Sequence, residues 1–216
     1  MHCKQWIFDM DGTLTDSMVT VWENAPLALL ERFGKTPEPH LHDILLPLGL
    51  RESAKYLITN YQLPLDETSY VTALREVVNQ LYEQVDLKPG VRELLAHLRA
   101  EGARCCICSN TWEEQCRTVL TRLGIADYFE FYITAQGAKS KHTPDVFFEA
   151  LHRLGGDDPA ACAVCEDAVY SARTAHAAGF HLLTIADWCS RADEPELRKI
   201  SDQFVTDWRQ LDWEKI

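Results

Sequence analysis

The run Asp9-Met10-Asp11-Gly12-Thr13 places two carboxylates two residues apart, directly after the apolar stretch Gln5 to Phe8. On near-extended backbone such side chains lean to one side, and the following glycine lets the chain turn where a side chain would obstruct a ligand. Paired carboxylates suit a hard divalent cation, most simply Mg2+, and let one act as nucleophile while the other exchanges a proton. The same pair also fits a turn, a helix cap or part of a calcium loop, so its meaning depends on what else reaches the same place.

Three further clusters follow apolar runs. Ser109-Asn110-Thr111 sets hydroxyls and an amide ahead of a helix beginning near Trp112, which suits a phosphate cradle and equally an ordinary helix cap. Lys139-Ser140-Lys141-His142-Thr143-Pro144-Asp145 supplies lysines able to neutralise a phosphoryl group, with Asp145 able to cap the next helix. Glu166-Asp167 adds two more carboxylates. Two CxxC pairs, Cys105 with Cys108 and Cys162 with Cys165, invite a zinc reading. Both lie in strand-like segments, where residues three apart face opposite ways, so they read instead as small buried hydrophobes in a reducing compartment.

These clusters need elements that deliver them to one edge. Apolar runs predict strands over Gln5 to Phe8, Arg104 to Cys108, Phe129 to Thr134, Ala161 to Cys165 and His181 to Ile185. Helical periodicity over Val91 to Arg99, Glu113 to Leu123, Val146 to Leu154 and Ala172 to Ala178 separates the later strands. The alternation predicts an α/β fold, a doubly wound parallel sheet with helices on both faces, whose active crevice lies beyond the carboxyl ends of the strands. Between residues 17 and 86 the pattern is helical throughout: Val21 to Phe33, Leu41 to Leu48, Arg51 to Tyr61 and Thr68 to Tyr82, with Pro37, Pro39, Pro47 and Pro64 marking turns. The expected layout is therefore a core of residues 1–16 and 87–216 with an inserted α-helical cap at 17–86. Phe204 to Trp208 suggests an edge strand and a short helix, or an apolar contact for a partner.

Length and composition bound the rest. The chain has 216 residues, 46% hydrophobic and 25% charged, globular values for roughly one domain of about 150 residues plus an insertion. A formal charge of −12 repels phosphate backbones and anionic membrane surfaces. No apolar run approaches the roughly 18 residues of a membrane helix, and Met1-His2-Cys3-Lys4 lacks a signal-peptide core. A cytoplasmic protein with neither nucleic acid nor membrane as partner is expected.

Taken together the motifs resemble the haloacid dehalogenase-like hydrolase superfamily. Phe8 to Ser17 is similar to its motif one, Cys108 to Thr111 to motif two, Lys141 to Asp145 to motif three, and Cys165 to Asp167 to motif four. Order and spacing match the helical-cap branch that contains phosphoglycolate phosphatase and β-phosphoglucomutase. In two places the chain departs from that branch: Ser171 stands where a glycine is usual, and His142 where proline is frequent. Both are expected to alter loop shape and not the reacting groups.

The resemblance implies a Rossmann-like core and phosphoryl transfer through an aspartyl-phosphate. Asp9 is then the nucleophile and Asp11 the acid/base; Ser109, Asn110 and Lys141 hold the phosphoryl oxygens; Asp9, Asp11 (through its carbonyl) and Asp167 hold Mg2+, supported by Glu166. Electrostatics asks for such a cation, because two unit charges at about 4 Å repel by roughly 4 kcal/mol even at an effective dielectric of 20. An acid at position 11 favours a phosphate ester over a carbon–halogen or carbon–phosphorus bond. A phosphomutase is the nearer rival. The histidine that restrains hydrolysis early in the mutase cap has no counterpart here, since none occurs between Asp11 and His40. The expectation is thus a Mg2+-dependent phosphatase acting on a small phosphorylated metabolite of the phosphoglycolate or sugar-phosphate type, as a monomer or weak homodimer; the alternatives are the mutase and a non-catalytic phosphate-ligand binding protein. Leu48 to Ser53 resembles a cap specificity loop, where Arg51 or Lys55 could meet a substrate carboxylate or hydroxyl, or be solvated helix charges.

Overall fold

The computed structural model describes residues 3–45, 48, 50–136 and 140–216, apart from the side chain of Asp43. Lys139, the residues of the specificity loop before Leu50 other than Leu48, the end of the second predicted helix with Pro47, and the Met1-His2 start lie outside the described residues. The chain forms two compact units, one of residues up to Asp16 with Asp86–Ile216, the other Ser17–Val85.

The first unit is a six-stranded, all-parallel sheet of β1 Gln5–Phe8, β2 Arg104–Ser109, β3 Tyr132–Thr134, β4 Cys162–Glu166, β5 His181–Ile185 and β6 Gln203–Val205. Its order, β3-β2-β1-β4-β5-β6, is doubly wound, and the winding reverses at β1. The central strands QWIF, RCCICS and CAVCE are buried along nearly their whole length, because helices cover both faces and no solvated side remains to impose alternation. On one face Ile7, Cys106, Cys108, Cys162 and Val164 pack with residues of α7 Asp145–Arg153, α8 Val169–Ala177 and α9 Glu194–Ile200. On the other, Trp6 stacks on Phe8 at 5.9 Å, and Trp213 joins Trp6 to His97 of α5 Val91–Ala100. α6 Glu113–Arg122 follows β2. No disulfide forms among the described residues, and all the cysteines but Cys189 are buried.

The second unit contains α1 Asn24–Arg32, α2 Leu41–Leu45, α3 Leu50–Asn60 and α4 Glu67–Tyr82. The helix predicted from Val21 is split: a π-helical turn, Met18–Glu23, precedes α1. Pro26 has no N–H for the carbonyl of Trp22, and the turn before it widens, with the Trp22 N–H reaching Ser17. Asp66 caps α4 by accepting from the Ser69 N–H at 2.7 Å.

Within the sheet unit the two chain crossings pair. Asp16 N–H donates to the Asp86 carbonyl and Lys88 N–H to the Leu14 carbonyl, each at 2.9 Å. Lys88 also forms a buried ion pair with Asp187 at 2.6 Å, beyond the end of β5.

Candidate active site

β1 ends at Phe8, and Asp9 still follows the strand direction, its N–H donating to the Cys165 carbonyl of β4 at 3.0 Å. Gly12 then adopts φ +82°, which only a residue without Cβ takes cheaply. The turn closes through Leu14 and Thr15 N–H donating to the Met10 carbonyl and Gly12 N–H to that of Thr15.

The ends of β1 and β4, with the segment after β3, place Asp9, Lys141, Glu166 and Asp167 together. One carboxylate oxygen each from Asp9, Glu166 and Asp167 lies within 4.8 Å of the others, and all three residues are buried. Among the described residues no other histidine, cysteine or acidic cluster meets that condition. The Lys141 ammonium, 2% exposed, donates to Asp9 Oδ1 and to Glu166 Oε1, the latter at 2.6 Å. Asp11 and Ser109 are buried at the same edge. Asn110 is exposed and donates through Nδ2 to the Tyr170 hydroxyl at 2.7 Å. Arg51 belongs to the other unit, on the first turn of α3, in an exposed ion pair with Glu67 at 3.1 Å. Asp145 is the first helical residue of α7; Pro144, whose φ is fixed by its ring, takes the cap position instead. The first N–H of α6, at Glu113, is taken by the Thr134 hydroxyl of β3 at 3.0 Å, which leaves Ser109 and Thr111 other partners.

Three polar side chains to which the sequence assigns no such contact hold these groups. Thr111 Oγ1 donates to Asp11 Oδ2 at 2.7 Å, and Thr13 Oγ1 to Asp167 Oδ1 at 3.0 Å. Ser171 Oγ donates to Glu166 Oε1 at 2.5 Å. The serine in the usual glycine position thus touches a member of the acid cluster as well as shaping the loop, because α8 starts at Val169 and its first turn faces Glu166. His142, the other departure, stacks on Tyr170 at 4.6 Å. The Thr13 and Thr111 contacts have a local signal in hydroxyls two residues beyond Asp11 and Ser109; the Ser171 contact has one in its five-residue spacing from Glu166.

Charge is out of balance here. Burial pushes the Asp9 carboxyl up to about 8 against the pull of Lys141, with Glu166 and Asp11 adding to the rise. Burial, then Asp9, Glu166 and Asp187, likewise raise Asp167 well above the usual carboxylate range. Burial works against the Lys141 charge, but Asp9 and Glu166 outweigh it and hold the ammonium well above its ordinary value. One ammonium, paired with Asp9 and Glu166, is thus set against a cluster of three buried acids, with Asp11 beside them. Oxygen-only donors, buried and short of positive charge, fit a hard divalent cation such as Mg2+.

The chain is similar to known proteins in sequence and in fold. The family profile described as haloacid dehalogenase-like hydrolase matches residues 4–179. A probable pseudouridine-5'-phosphatase of Drosophila melanogaster is 27% identical over 193 residues, covering 86% of this chain and 81% of that protein. Hexitol phosphatase A of Escherichia coli is 28% identical over 201 residues, covering 93% and 89%. The crystal structure of CbbY from Rhodobacter sphaeroides in complex with phosphate superposes with a TM-score of 0.81 at 22% identity, covering 97% of this chain and 96% of that one, a likeness of fold.

Proposed function

The chain belongs to the haloacid dehalogenase-like hydrolases, and from that premise we propose that it is a Mg2+-dependent phosphatase of small phosphorylated metabolites, of the phosphoglycolate or sugar-phosphate type, working through an aspartyl-phosphate. The observation that carries this reading is the convergence of Asp9, Glu166 and Asp167, with the Lys141 ammonium paired to the first two. Relatives named as phosphatases support the reaction class.

Asp9 attacks phosphorus; the bond to the ester oxygen breaks as the aspartyl-phosphate forms. Asp11, oriented by the Thr111 hydroxyl, gives its proton to the leaving oxygen. It then takes a proton from the water that attacks the aspartyl-phosphate, which releases inorganic phosphate and restores Asp9. Lys141 and Ser109, with Asn110 at the margin, bind the phosphoryl oxygens, and the lysine stabilises charge where it grows in the transition state. Mg2+ would be held by Asp9, Asp167 and the Asp11 carbonyl, with Glu166 in support; when bound it offsets carboxylate charge against the anionic ester. The Ser17–Val85 unit acts as a cap that selects the substrate, with Arg51 as a specificity residue. The free, buried thiols suit a reducing, cytoplasmic setting.

Phosphate release from a panel of phosphorylated metabolites and one aryl phosphate, with and without Mg2+, tests this in wild type and Asp9→Asn. Turnover is expected to require Mg2+ and to disappear in Asp9→Asn. A folded, Mg2+-binding wild type that releases no phosphate from any ester would overturn the reading.

A further inference from the structure

We propose that Trp208, in the C-terminal segment outside the family match, is a positioning residue that sets the Asp9–Thr13 loop and, through Thr13, the Asp167 carboxylate; this rests on the phosphatase reading above. The Trp208 indole N–H donates to the Thr13 carbonyl at 3.0 Å, 195 residues away in sequence. The Thr13 hydroxyl donates to Asp167 Oδ1, also at 3.0 Å. One residue, fully buried, thus joins the tail to a member of the acid cluster. The neighbouring carbonyls of the loop are already committed: Met10 accepts from Leu14 and Thr15, and Leu14 from Lys88. Trp208 takes the carbonyl between them.

The seat of Trp208 is built to close tolerance. Its backbone N–H donates to the Pro89 carbonyl at 3.0 Å, and its side chain is 1% exposed. Asp207 fixes the turn by accepting from the Arg209 N–H at 2.9 Å. Against that turn lies Gly90, at φ +81°; a Cβ there would meet Asp207 Oδ1 at 2.5 Å and the Arg209 nitrogen at 2.7 Å. A buried aromatic ring needs no polar atom to fill this space, whereas a buried indole N–H needs an acceptor. Tryptophan therefore couples packing to one directed bond on the catalytic loop. Without that bond the Thr13 peptide can rotate, and the hydroxyl that holds Asp167 moves with it.

The test compares wild type, Trp208→Phe, Thr13→Val and the double variant. Mn2+ binding to the protein without substrate is read by electron paramagnetic resonance, alongside kcat and KM for phosphate release. Trp208→Phe keeps the ring and deletes the N–H; it is expected to weaken Mn2+ binding about three- to tenfold, the worth of one hydrogen bond, and to lower kcat with KM little changed. In the double variant the two effects should be less than additive, since both act through the Thr13 peptide. Wild-type Mn2+ affinity and kcat in Trp208→Phe, or full additivity, would overturn the proposal and leave Trp208 a packing residue. Should Trp208→Phe not fold, the wild-type indole N–H resonance decides: a shift on adding Mg2+ supports the coupling, and an unmoved resonance rejects it. A wild type that binds Mn2+ yet hydrolyses no ester refutes the phosphatase reading, while metal affinity still reports on Trp208.

Discussion

Ser171 and Lys141 share one oxygen: Oε1 of Glu166 accepts the serine hydroxyl at 2.5 Å and the lysine ammonium at 2.6 Å. The two donors arrive from different elements, the first turn of α8 and the segment after β3. Glu166 is thereby fixed in a place where a carboxylate with one partner would have freedom to turn.

Removing Lys141 leaves Asp9 and Glu166 buried beside each other without their ammonium. Lys141→Met is therefore expected to cost about 3–5 kcal/mol of stability, as breaking a buried ion pair from one side does. Ser171→Ala removes one charge-assisted bond and is expected to cost about 1.5–3 kcal/mol. Urea midpoints in metal-free buffer measure both, and a Lys141→Met midpoint equal to wild type would contradict the role assigned to this pair.

In the proposed mechanism Thr111 bears on the proton-transfer step. Its hydroxyl donates to Asp11 Oδ2 at 2.7 Å, and valine has nearly its shape without the donor. Thr111→Val is expected to lower kcat about ten- to a hundredfold, the equivalent of one hydrogen bond to a charged group, with KM for the ester little affected. Steady-state kinetics on one accepted ester would decide, and an unchanged kcat would show that Asp11 is oriented by something else.

The thiols give the alkaline limb of stability. Burial pushes Cys105 and Cys108 up to about 12 and Cys3 to about 11, from an ordinary 9.0. Between those values the unfolded chain loses protons that the folded chain keeps, so stability falls as pH rises. The contribution is intact below pH 9 and declines from there toward 12. Urea midpoints at pH 7.5, about 9 and about 10.5 should therefore decrease, and Cys105→Ala should flatten the decline. A midpoint that rises over this range would show that the thiolates are not disfavoured in the fold.

The strands were legible because their apolar runs are continuous, and chemistry at their carboxyl ends follows once the sheet is parallel. Gln5–Phe8 and His181–Ile185 were read to the residue. β3 is shorter than its apolar run, since Ala126–Tyr128 forms a 3-10 turn and Phe129 packs edge-on against Phe8 at 5.9 Å. α9 escaped the reading because it is short, contains Pro195 and buries only Leu197. The candidate site residues Asp9, Asp11, Lys141, Glu166 and Asp167 stand out by type and place. Their orienting partners do not: Thr111 meets Asp11 across 100 residues and Trp208 meets Thr13 across 195, separations that only tertiary closure joins. Ser171 is visible as a departure from a familiar glycine, which points to loop shape; that it also brings a donor to Glu166 emerges only from the fold.

The paired crossings at Asp16–Asp86 and Leu14–Lys88 make the sheet unit self-closing at its point of interruption. The ladder holds the two severed ends in register, and the closure cost of whatever is inserted between them rises only by about 0.6 kcal/mol per doubling of its length. The crossing is thus a graft junction, expected to accept inserts of other lengths at small cost to the sheet unit.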